Sequence, residues 1–222
     1  FKAWDQNGGY TNGQIGVSFG GPTLAATISA VGTYTMGVTV NGNYAYVGDY
    51  TAGLRIYDIT DPLNPLLITT VDTTGAAHGV ALNGNYVHVA DYNNGSDVIN
   101  ISTPASASAV AQTGAWCFDV AVSGTKLLGI SKSDGLYVVN ISNPASPTDI
   151  GRADPDSYSY YGMAVSGNYA YLPVGPNGLK VIDYTVVHSN AYGIYSGDTV
   201  TPGATINNGV SLFGIAISGN YA

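Results

Sequence analysis

Six Lys and Arg against fourteen Asp and Glu give the 222-residue chain a formal charge of −8, and only 9% of its residues are charged, where an ordinary soluble domain has roughly 25%. A phosphate-tracking groove needs clustered Lys and Arg, so nucleic acid is set aside as a partner. No apolar run of about 18 residues offers a membrane-spanning helix, the lone Cys117 has no partner for an internal disulfide, and the length suits one large all-β domain.

Taken in order, "FKAWDQNGG", "GQIGVSF" and "TLAATISAVGTYTM" read as three strands. From Gly37 the pattern becomes regular. The stretch "GVTVNGNYAYVGDYTAGLRIYDITDPLNPLLITTV" gives strand A at 37–40, B at 44–49, C at 54–59 and D at 66–71. Asn41-Gly42 is a two-residue hairpin turn of the kind that needs positive φ, and Asp61-Pro-Leu-Asn-Pro65 turns C into D, with Pro fixing φ and Asp bonding local backbone. The unit then recurs from Gly79, Asp119, Gly162 and, in part, Gly214, at spacings of 42, 40, 43 and 52 residues. Asn83-Gly84, Ser123-Gly124, Ser166-Gly167 and Ser218-Gly219 take the place of Asn41-Gly42. A period in the forties with several short strands per unit predicts propeller blades.

Strand A alternates large and small residues, as in Val38-Thr39-Val40 and Val80-Ala81-Leu82, which predicts an inner strand apolar on both faces. The closing "GIAISGNYA" is an A strand with the start of B, and the opening segment supplies B, C and D. Joined, the two ends match residues 169–178 without a gap. The expected architecture is therefore all-β: a five-bladed propeller of four-stranded antiparallel blades, closed by strands from both termini. Its blades span about 214–222 plus 1–36, 37–78, 79–118, 119–161 and 162–213.

"NYAYVGDYTAGLRIYDITDPLNPLLI" resembles the LVIVD repeat, closely in the Gly37 copy and moderately in the next two. The resemblance implies a propeller and an extracellular or cell-surface setting. It implies no activity, so no catalytic residue is carried over.

Candidate chemistry is sparse. His88 falls in the column of Tyr46, Leu128 and Tyr171, a packing position, and His78 in the column of Met36, Phe118, Tyr161 and Phe213, read as wedges between blades. No His, Cys or carboxylate set has zinc spacing, and neither a nucleophile elbow nor a phosphate loop is present, so an enzyme, a metal and a cofactor are not expected. Asp58, Asn100, Asn140 and Asp183 share a place at the end of strand C and read as caps of the following turn. That accounts for two of the glycosylation sequons and leaves Asn94-Gly95-Ser96 as the better glycan acceptor.

The B-to-C and D-to-A connections share one propeller face. They bring together Asp49, Tyr50, Asp91, Tyr92, Trp116 and Tyr158. Rings beside carboxylates suit sugars, and clustered oxygens suit calcium. The leading expectation is nevertheless a non-enzymatic extracellular protein with a structural, self-assembling or adhesive role, a subunit of a surface filament whose partners are copies of itself; the alternative is a carbohydrate-binding propeller using that loop face. No membrane insertion is expected.

Overall fold

The computed structural model describes residues 24–28, 34–113, 116–131, 135–153, 162–174, 178–185 and 205–206. These form four four-stranded antiparallel sheets that follow one another along the chain. The first holds β1 (Thr35–Asn41), β2 (Tyr44–Asp49), β3 (Gly53–Asp58) and β4 (Leu66–Val71) in sequential order. The second holds β5 (Val80–Asn83), β6 (Tyr86–Ala90), β7 (Ser96–Asn100) and β8 (Ser108–Thr113), the third β9 (Asp119–Ser123), β10 (Lys126–Ser131), β11 (Gly135–Asn140) and β12 (Thr148–Ala153). The fourth consists of β13 (Ala164–Ser166), β14 (Tyr169–Pro173), β15 (Leu179–Asp183) and the two-residue β16 (Thr205–Ile206).

Local chemistry sets this order. Gly42, Gly84, Gly124 and Gly167 take φ of 56 to 57°, the left-handed conformation that closes a two-residue hairpin without a Cβ penalty. The C-strand caps form as expected: Asp58, Asn100, Asn140 and Asp183 each accept, through Oδ1, the backbone N–H two residues on, at 2.8 to 2.9 Å. Asp61 repeats the device in the C-to-D turn, accepting from Leu63 N at 3.0 Å and Asn64 Nδ2 at 2.7 Å. The Thr60, Asn64 and Thr185 side chains, followed by these backbone bonds, hold the Asp58, Asp61 and Asp183 carboxyls below their usual range.

The sheets stack through their first strands, with β1 against β5, β5 against β9 and β9 against β13. Apolar layers fill the spaces between them. One joins Ile56, Val71, Val87, Val89 and Ile99 across the first two sheets, and another joins Ile130, Leu136, Val138, Leu172 and Ile182 across the last two. His88 lies wholly inside, its imidazole pushed down to about 4 by burial; it sits in the packing column assigned to it. The result is a β-propeller-like repeat fold with four blades among the described residues.

The inner strands depart from expectation at one end. In β5 all four residues are half-buried, but Val38 and Val40 of β1 stay 65% and 56% exposed. The reason is one-sidedness: β5 packs between β1 and β9, whereas among the described residues β1 has a neighbouring first strand only in β5. The expected fifth blade draws on residues 1–36 and 214–222, which lie mostly outside the described residues, as does Tyr158.

Candidate functional site

A row of rings crosses the first three blades. Tyr50 follows β2, Tyr92 follows β6, and His78 and Trp116 stand in the links between blades. His78 lies 5.5 Å from Tyr50 and 6.0 Å from Tyr92, and Tyr92 lies 5.7 Å from Trp116, centroid to centroid. Phe118 packs edge-on beneath, 5.5 Å from His78 and 5.0 Å from Tyr92. These are the tilted and edge-to-face separations that aromatic quadrupoles favour.

The backbone holds the row in place. Tyr92 adopts φ 44°, a left-handed conformation unusual for an aromatic residue, and its carbonyl accepts Cys117 N–H at 2.8 Å, tying the second blade to the third. Tyr50 and Trp116 form the wet ends, 37% and 49% exposed. Of the expected contact residues, Tyr50, Tyr92 and Trp116 are thus brought together, with His78 and Phe118 supplying the bridge that their wedge column foreshadowed.

A cavity of about 280 Å³ opens beside the row, between the starts of the first strands, lined by Met36, Val38, His78, Val80, Phe118 and Asp119 among others. Asp119 stands where the other blades have Gly37, Gly79 and Gly162. Its Oδ1 accepts Val120 N–H and its Oδ2 accepts Met163 N–H from the fourth blade, both at 3.0 Å. Gly79 makes room for that carboxylate, because a Cβ there would overlap it. Burial nevertheless pushes Asp119 up to about 6, the two hydrogen bonds opposing.

Asp49 and Asp91 are placed differently. Both are fully buried at the ends of the second strands and do not face a ligand in solvent. Arg55 Nε lies 2.8 Å from Asp49 Oδ2. Asp91 Oδ1 accepts Thr73 Oγ1–H at 2.7 Å. Asn94 is half-buried and its amide donates to Thr74 Oγ1 at 3.3 Å, while Ser96, the third residue of its sequon, is buried.

Sequence reasoning missed a second column that faces these acids. Gly53, Gly95, Gly135 and Gly178 all take positive φ, from 68 to 87°, just before or at the start of the third strand. Two residues beyond each stand Arg55, Asp97, Tyr137 and Lys180. Aligning the repeats on those glycines would have exposed it. In the second blade the column sets Asp97 against Asp91, and burial, followed by the Asp91 charge, pushes Asp97 up to about 7. Burial raises Asp91 as well. Among the described residues no group of three or more His, Cys, Asp or Glu side chains is arranged to hold a metal, and no helix is long and apolar enough to cross a membrane.

Comparison with known proteins bears on this repeat directly. The LVIVD repeat model matches residues 32–73, 74–112, 117–154 and 161–190, most of the chain. The chain belongs to the LVIVD repeat family. The first three matches each cover one sheet to within a residue, and the fourth covers β13 to β15 with β16 beyond it, so the LVIVD unit corresponds to the blade described above. No curated protein matches the chain.

Solved structures show the fold alone. The computationally designed Ika4 protein superposes with a TM-score of 0.58 at 12% identity over 72% of this chain and 97% of its own. The designed Ika8 protein gives 0.54 at 12% identity, over 67% and 45%. BamB from Moraxella catarrhalis gives 0.50 at 14% identity, over 62% and 40%. The LVIVD chain thus spans less than half the length of two of these three structures.

Proposed function

We propose that this is a non-enzymatic extracellular or cell-surface protein with a structural, self-assembling or adhesive role. Its repeats form a ring of five blades, the fifth built from residues 214–222 and 1–36, and copies associate head to tail into a surface filament. The observation that supports ring closure is the open side of the first blade. Met36, Val38 and Val40 are all more than half exposed, and a groove of about 500 Å³ runs beside them, lined by Ala25, Ile28, Val47, Tyr57, Pro62 and Pro65.

Exposed contiguous apolar surface of this kind marks a contact. Ala25 and Ile28 belong to the segment assigned to the fifth blade's last strand, which favours that blade's closing against the first. Only 9% of residues are charged, so few ions need be desolvated at a contact, which favours association against the repulsion of the net charge of −8. Light scattering over a concentration series tests the reading: mass should grow with concentration, and replacing the exposed Leu63 or Leu66 by Lys should change the growth. A constant monomer mass at high concentration refutes it.

The ring row favours a second reading, carbohydrate binding. Flat rings with exposed faces stack on sugars, and Tyr hydroxyls bond theirs. A glycan array should give hits that vanish in Trp116→Ala; hits unchanged by that substitution refute this use of the row.

A further inference from the structure

Asp91 and Asp97 of the second blade stand where the first blade has Asp49 and Arg55. In the first blade a guanidinium neutralises the buried acid at 2.8 Å. In the second, a carboxylate takes the place of that guanidinium, and it interacts directly with Asp91. Asp91 is 0% exposed and Asp97 6%. The Oδ2 atoms of both are buried without a hydrogen-bond partner.

Two facing carboxylates removed from water repel each other, and burial without a counter-charge is costly. The remaining groups nearby add no positive charge. Thr73, Asn94 and Gly75 offer neutral hydrogen-bond donors to Asp91, and Gln112 does so to Asp97, while Asp72 adds a further negative field on Asp97. Gly75 closes the pair from one side so tightly that a Cβ would lie 2.6 Å from Asp91 Oδ2.

We propose that Asp91 and Asp97 are the anionic half of a site for a hard divalent cation of the calcium class. Neutral oxygens from the 72–75 link and the 91–95 loop complete it. The anionic donors are hard carboxylate oxygens, which favours calcium-like ions over zinc or copper. A dication neutralises both acids at once and does for the second blade what Arg55 does for the first, locking the link from the first blade onto the second sheet. The site is independent of the self-assembly reading.

Equilibrium dialysis with radioactive calcium and thermal melts of chelator-treated protein at neutral pH test it, using the wild type, Asp97→Asn and Asp97→Arg. The wild type should bind calcium with Kd of about 10⁻⁴ to 10⁻³ M, the range of extracellular modules, and melt at higher temperature as calcium is added. Asp97→Asn should weaken binding about tenfold or more. Asp97→Arg, which recreates the first blade's pair, should bind none and melt independently of calcium. No calcium bound to the wild type at millimolar concentration would mean that the pair holds a shared proton only. Equal binding by all three proteins would put the ion elsewhere. Either result overturns the proposal.

Discussion

Replacing Tyr137 by Ala tests how the blades exchange side-chain volume. Gly129 and Tyr137 face each other across β10 and β11. The same positions hold Val47 with Arg55, Val89 with Asp97 and Leu172 with Lys180. Among the four described blades only the third sets a full ring over a glycine. Tyr137 is 1% exposed, so truncation to Ala should cost roughly 3–5 kcal/mol and lower Tm by about 6–20 °C in a chain of this size. Gly129→Val drives a Cβ into Tyr137 Cζ, Oη and Cε1, well inside van der Waals contact, an overpacking cost of about 1–3 kcal/mol or more. In the double variant the valine occupies space the ring has left. Its cost should fall short of the summed single costs by about 1–3 kcal/mol, read from urea unfolding followed by circular dichroism. Additivity within about 0.5 kcal/mol would refute the exchange.

Arg55→Leu should destabilise the chain by about 3–5 kcal/mol, because it leaves the buried Asp49 without its guanidinium; a loss under about 1 kcal/mol in denaturant unfolding contradicts the ion pair's role. Asn140→Ala removes a backbone cap and should cost about 1 kcal/mol, with Asn100→Ala matching it because the two bonds are equivalent. Asp119 titrates at a raised pKa in the folded chain, so the folded state holds its proton more tightly than the unfolded one. Its contribution to stability therefore declines as pH rises from about 4 to about 6. Thermal melts across that window should show a downward slope that Asp119→Asn flattens, and an unchanged slope in the variant contradicts the assignment. Cys117 is fully buried with its thiol pushed up to about 12, so thiol reagents should modify it only after unfolding; rapid modification of the native protein contradicts its place in the core.

Much of the fold was legible because its punctuation is local. The Asn-Gly and Ser-Gly turns and the Asx caps depend on neighbours two or three residues away, so β2 and β4 fall on the expected residues and β3 differs by one at each end. The repeat supplied what local signals could not, the assignment of His88 to packing and of His78 to a wedge between blades. The fate of Asp49 and Asp91 was less visible. Acids beside Tyr50 and Tyr92 look like loop residues, yet at the end of β2 and just past β6 the backbone turns the carboxylates inward, where the fold brings Arg55 and Asp97 to them. The first blade's exposed strand was also hidden, since Val38 and Val80 look alike in sequence and differ only in what lies beyond them.

Electron microscopy of the purified protein at high concentration addresses self-assembly most directly. The account predicts polymers of stacked rings, each with five blades, in which Val38 and Val40 are covered. Fields of separate single particles, or rings of another blade number with that face still open to solvent, would contradict it.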